Sequence, residues 1–153
     1  VEIFLQFVYN KCNSNLNRQV NIVYTHALEQ FQEQVSQLLL RHRSVLDIMS
    51  KLDQTSASIN RAVTKSITDC GCIELHASKQ PFHEVDSLDV AQERISNHVT
   101  GELCEHCREL VQQAIGRNLF YLTALCTQLD IKLPEVVEME SQKCNTLGLF
   151  NLT

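Results

Sequence analysis

Four cysteines in two close pairs are the residues of this chain best equipped for chemistry: Cys70 and Cys72 in TDCGCIELHASKQ, and Cys104 and Cys107 in GELCEHCREL. Thiolates are soft donors that bind zinc or iron–sulfur clusters, and four from one chain complete a closed tetrahedral shell. The order is C-x-C, thirty-one residues, then C-x2-C. In the second pair, residues three apart at a helix start project to one side, where the helix N-terminal N–H groups favour negative charge. In the first pair, Gly71 can take a positive φ that lets Cys70 and Cys72 face one point. The expectation is one shared metal centre with Cys70, Cys72, Cys104 and Cys107 as ligands. Zinc stands ahead of an iron–sulfur cluster, because a structural zinc needs no redox role. His76 and His106 are the candidates to replace one thiolate, with His83 and His98 behind them. Redox pairing of Cys104 with Cys107 is a competing reading, but the βαβ pattern that usually carries such a C-x-x-C is absent. Cys126 reads as a core residue, Cys144 as a half-exposed thiol, and Cys12 carries no functional expectation.

The elements that must position these sulfurs read as helices. Leu28, Phe31, Val35, Leu38, His42, Val45, Met49 and Leu52 recur at alternating spacings of three and four, a stripe suited to packing along another helix. His42 within it reads as a half-buried histidine rather than a ligand. After a polar break at Gln54, Thr55 and Ser56, a second helix from about Ser56 to Thr68 delivers the chain to Cys70. Pro81 makes the segment after Cys72 a loop, with a short extended piece at Ile73 to Leu75. Ser87 can cap a third, weaker helix through SLDVAQERISNHV, ending at Thr100 and Gly101. The strongest helix starts at about Glu105 and carries Leu110, Val111, Ala114, Ile115, Leu119, Leu122, Leu125, Cys126 and Leu129; Gly116 inside it suggests a close helix approach. Leu133 and Pro134 open a fifth helix, and Leu147, Leu149, Phe150 and Leu152 close the chain. The predicted fold is an all-α bundle of four to five helices with a cysteine-rich loop between them. Residues 1 to 22 form an N-terminal extension of uncertain status and residues 23 to 153 one helical domain.

Composition narrows the function classes. The scarcity of Gly, four, and Pro, two, favours long helices over a turn-rich β fold. A formal net charge of -5 argues against nucleic acid as partner, since phosphate binding needs clustered Lys and Arg. The apolar run from Ile3 to Tyr9 is too short for a bilayer and lacks signal-peptide features, so the expectation is a reducing cytoplasm without membrane attachment. There, paired cysteines serve as ligands or redox groups rather than staples.

The segment AIGRNLFYLTALCTQLDIKLPEVVEMESQK resembles the second half of the MazG-type, all-α nucleoside triphosphate pyrophosphohydrolase scaffold. From QLLLRHRSVLDIMSKLDQTSASINRAVTKSITDCGCIELHASKQ through GELCEHCRELVQQAIG to CNTLGLFNL, the chain resembles an uncharacterised, Firmicute-type bacterial family described as MazG-like. MazG-type enzymes hold Mg with Glu-x-x-Glu on one helix and Glu-x-x-Asp on the next. Here Arg117 follows Gly116 where that family has Asp, and Ala114 stands at the position of the Glu. Asp47 and Asp53 lie on the first helix without a Glu-x-x-Glu, and neither Glu102, Glu105 and Glu109 nor Glu135, Glu138 and Glu140 reproduce the paired spacing. These read as solvated helix faces.

The leading expectation is therefore a non-catalytic, metal-binding helical protein, holding zinc on a MazG-like scaffold for a binding or regulatory role. The alternatives are a divergent nucleoside triphosphate pyrophosphohydrolase, which would require Mg and a nucleotide, and an iron–sulfur or thiol redox protein. Long apolar stripes predict a homo-oligomer, a dimer in the simplest case.

Overall fold

The computed structural model describes residues 24–40, 43–80, 90 and 94–147. Four helices dominate them: α1 over residues 24–38, α2 at Val45–Thr68, α3 at Glu105–Gln128 and α4 at Leu133–Leu147. Between α2 and α3 lie two short strands, β1 at Ile73–Leu75 and β2 at Val99–Gly101. The expected all-α bundle is thus present, with a small sheet added. His42, His83, Cys12, residues 1–23 and the tail after Leu147 lie outside the described residues. So does most of the expected third helix, where Val90 and Arg94 are helical. By Val99 the chain is extended, not at the end of a helix.

Helix α2 runs unbroken across Gln54, Thr55 and Ser56, so the polar stretch is not a boundary. Thr55 explains why: its hydroxyl donates back to the Lys51 carbonyl at 2.9 Å, satisfying itself inside the helix. The real interruption falls earlier, between the end of α1 at residue 38 and the start of α2 at Val45.

The main interface joins α2 to α3. Ile48 shares a core with Ala124, Asn118 Nδ2 reaches Thr55 Oγ1 and Ser56 Oγ at 3.0 Å each, and Cys70 meets Cys104. Positions rise along α2 as they fall along α3, so the pair is antiparallel. Helix α1 closes the third side: Val35 and Leu39 pack with Ile48 and Ala124, and Phe31, Leu52, Phe120 and Leu125 flank them. Each fully buried aliphatic side chain there is worth roughly 1.5–3 kcal/mol of transfer free energy.

Two sequence assignments are shifted by one residue. Leu38 and Met49 are exposed, while Leu39 and Ile48 are buried. A stripe read through both segments at 3.5 residues per turn assumes one continuous helix; at the end of α1 the buried side is carried from Val35 to Leu39 by a step of four, and the new start at Val45 sets a separate phase for Ile48. Gly116 also differs from expectation, since among the described residues a Cβ there would meet nothing within 4 Å.

Helix α3 ends in a Schellman-type turn. Asp130 adopts φ 55°, its N–H reaches the Thr127 carbonyl, and the Ile131 N–H reaches the Cys126 carbonyl at 2.8 Å. Gln32 on α1 grips the resulting corner: its amide donates to the Ile131 carbonyl and its Oε1 accepts from the Leu133 N–H, both at 2.8 Å. Among the described residues no helix is long and apolar enough to cross a membrane.

Candidate metal centre

Each cysteine pair is built by a different local device. The first sits where α2 stops: the N–H groups of Asp69 and Cys70 both bond the Lys65 carbonyl, and Lys65 Nζ pairs with Asp69 at 2.7 Å. Gly71 then turns the chain with φ 66°, as its position between two cysteines predicts. Beyond it β1 pairs antiparallel with β2, Ile73 opposite Gly101 and Leu75 opposite Val99. Ser66, fully buried at the end of α2, presents its carbonyl to Cys72 Sγ at 3.6 Å.

The second pair opens α3. Cys104 is the N-cap residue, extended at φ -62° and ψ 161°, and its sulfur accepts the Cys107 N–H at 3.5 Å. A thiolate here faces the N–H end of a helix, where negative charge is favoured. Cys107, one turn in, is buried.

The two devices converge. The four Sγ atoms of Cys70, Cys72, Cys104 and Cys107 all lie within 4.8 Å of one another, with Cys70 and Cys104 at 3.7 Å. Four sulfurs each about 2.3 Å from one ion at tetrahedral angles are about 3.8 Å apart. The cluster therefore matches a single-ion shell, allowing small adjustments at the longer edges. A polynuclear cluster spreads its cysteine sulfurs farther, because they bind different irons. At 3.7 Å the Cys70–Cys104 pair is far from the roughly 2.05 Å of a disulfide, and all six described cysteines are free thiols. The four cysteines can hold a metal ion.

Without an ion the site is electrostatically divided. The Cys107 N–H and side chain hold Cys104 down to about 7, from an ordinary value of 9.0. Burial, reinforced by the neighbouring sulfurs, pushes Cys107 up to about 12. The Cys107 side chain lowers Cys70, yet the opposing hydrogen bonds from Cys104 and Cys72 leave it raised overall. In the bare protein the Cys107 thiol thus keeps its proton and donates toward the Cys104 thiolate; a divalent cation held by the four sulfurs would displace that proton. Because Cys104 is depressed in the folded state, its contribution to stability is present above about 9 and lost as pH falls through about 7. In chelator-treated protein, ultraviolet thiolate absorbance is expected to show one ionisation near pH 7 that disappears in Cys104→Ser. A first ionisation no lower than that of an ordinary thiol would contradict the helix-end assignment.

Gly101 is the site residue that pattern reading missed. With φ 84° and an added Cβ only 2.7 Å from the Cys72 carbonyl oxygen, it admits no side chain. Gly101→Ala is expected to push β2 off the first knuckle and weaken metal affinity at least as far as it lowers Tm. Wild-type affinity in that variant would show that the strand pair does not set the position of Cys72. The sequence signal was a glycine three residues before C-x2-C, read instead as a helix stop.

The remaining candidates fall outside the cluster. His76 is exposed and pairs with Glu74 at 3.1 Å, while its N–H extends the sheet to the His98 carbonyl. His98, at φ 59°, contacts Gln80, and His106 points to solvent on α3. Asp47, Asp53, Glu102, Glu105, Glu109, Glu135, Glu138 and Glu140 are all exposed. Glu135 and Glu140 pair with Lys132 and Lys143 on α4, as solvated helix faces do. Cys126 is buried, as its helical position predicts, and Cys144 is exposed.

No family model, no curated protein and no solved structure matches this chain.

Proposed function

We propose that this is a non-catalytic zinc protein, in which a four-thiolate centre clamps the end of α2 to the start of α3 on a MazG-like helical scaffold that serves binding or regulation. The observation that carries the reading is the convergence of four sulfurs, from positions up to thirty-seven residues apart, onto an arrangement sized for one tetrahedral ion. Zinc fits because it accepts an all-sulfur closed shell, and no ligand position is left open for a substrate or water. The helix N-terminal N–H groups and the Cys107 N–H supply positive potential for the excess negative charge of four thiolates around a divalent ion. Elemental analysis of freshly purified protein is expected to find one zinc per chain. Folded protein with neither zinc nor iron would end the proposal, and equimolar iron would replace zinc with a redox-active ion.

The scaffold self-associates as a dimer through the outer face of α3. Ile115, Leu119, Leu122 and, just past its end, Leu129 recur at helical spacing and are each between 40% and 51% exposed. A self-complementary pairing of two such stripes covers both at once. Sedimentation is expected to show two chains per particle, reduced to one in Leu119→Glu/Leu122→Glu. A monomeric wild-type protein would remove this part of the reading.

A further inference from the structure

The four sulfurs differ in access. Cys70 is exposed, Cys72 and Cys104 are half-buried, and Cys107 is buried. They differ also in what holds their electrons. Cys104 accepts the Cys107 N–H, which draws charge from its sulfur, whereas among the described residues no backbone N–H reaches Cys70 Sγ. Once an ion has displaced every thiol proton, the most open sulfur without such a bond is the most nucleophilic. On the opposite knuckle the Cys104 sulfur lies 3.7 Å from it.

We propose that Cys70 is the oxidation site of the centre, and that a hydroperoxide converts it to a disulfide with Cys104, releasing the ion while the two helix ends stay joined. This rests on the reading of the four thiolates as one metal centre. The Cys70 sulfur attacks the terminal oxygen of the hydroperoxide: an S–O bond forms, the O–O bond breaks, and the leaving hydroxide or alkoxide takes a proton from solvent. The Cys104 sulfur then attacks Cys70 sulfur, forming the S–S bond and expelling the sulfenyl oxygen as hydroxide, which becomes water. Two sulfurs have given up two electrons and the peroxide has accepted both. Closing the sulfurs to roughly 2.05 Å removes two ligands, and Cys72 and Cys107 alone cannot complete a four-coordinate shell.

Bridging within C-x2-C would instead require oxidant to start at Cys104 or Cys107, both less open than Cys70, and would leave the end of α2 untethered. The Cys70–Cys104 bond joins the same two ends that the ion joins. Metal release therefore proceeds without loss of the bundle, and reduction of the disulfide regenerates the site.

The test uses the zinc-loaded full chain and hydrogen peroxide, with zinc release followed by a chromogenic chelator and the bond located by tandem mass spectrometry. Trypsin places the first pair between Lys65 and Lys79 and the second between Arg94 and Arg108, so a bond between knuckles joins two peptides and a bond within one does not. The expected result is one zinc released per Cys70–Cys104 bond with helical circular dichroism retained. Limiting iodoacetamide on the loaded protein is expected to alkylate Cys70 first among the four, and Cys70→Ser to slow peroxide-driven release about ten-fold. A first bond at Cys104–Cys107 or Cys70–Cys72, or another of the four alkylated first, would overturn the proposal even if Cys70→Ser binds zinc too poorly to assay. The same mapping on metal-free protein separates the two readings. A chain that never takes zinc yet forms Cys70–Cys104 sinks the shared-ion reading, and a zinc-loaded chain that forms a different bond sinks this one.

Discussion

Replacing Cys104 and Cys107 together by serine is expected to leave the protein without bound metal, with a lowered Tm and a frayed junction between α2 and α3. Serine hydroxyls do not ionise near neutral pH and are hard donors, so half the shell is lost at once. In small zinc peptides the ion supplies roughly 10–16 kcal/mol of apparent folding free energy. Here the expected effect is regional, because Val35, Leu39, Ile48 and Ala124 form a core at the far end of the α2–α3 pair that owes nothing to the sulfurs. Amide hydrogen exchange should therefore accelerate at the end of α2, along β1 and β2 and in the first turns of α3, while the segment around Ile48 keeps its protection. Chelation of the wild-type protein should reproduce the pattern. Unchanged exchange and Tm in the double variant would mean that the hairpin and Ser66 hold the knuckles without help.

At that far end, Ile48→Ala is expected to cost about 2–5 kcal/mol, the range for truncating a fully buried aliphatic side chain. Ile48 has no exposed surface and touches elements from three helices, so the void it leaves cannot be filled by moving one side chain. For a chain of this size that corresponds to a fall in Tm of roughly 5–20 °C. The neighbouring Met49→Ala removes a side chain already half in water and should change Tm little. Equal effects at the two positions would place the helix phase as the periodicity first suggested. Metal content should stay at the wild-type level in Ile48→Ala wherever the protein remains folded, since the two ends of the interface are separate loads.

What the amino-acid pattern revealed and what it concealed follow from the range of the interactions. The C-x2-C at the start of α3 and the turn at Gly71 are local: residues three apart at a helix start share a side, and a glycine between two cysteines allows the bend. The long apolar α3 was readable for the same reason. Convergence of the two knuckles could only be expected, because thirty-one residues separate them and nothing in that interval encodes the distance. The pairing of β1 with β2 was hidden more thoroughly, since VTG is too short to show alternation and its partner lies beyond a proline. The phase of α2 was misplaced at Met49 because the break before it is marked neither by proline nor by glycine. The apolar face of α3 reads as the strongest in the chain, yet Leu110, Ile115, Leu119 and Leu122 are substantially exposed. Periodicity reports that a face is apolar, not what covers it.

The β1–β2 pair has a bearing on how this chain tolerates change. The polypeptide leaves the first knuckle along β1 and returns to the second along β2, so the twenty-three residues between Leu75 and Val99 form an excursion whose two ends are bolted side by side. Lengthening such an excursion costs only a logarithmic closure penalty, about 0.6 kcal/mol per doubling. The sulfur geometry is thereby insulated from whatever is spliced into the excursion, which makes this span the natural port for grafting a reporter or a foreign peptide onto the protein.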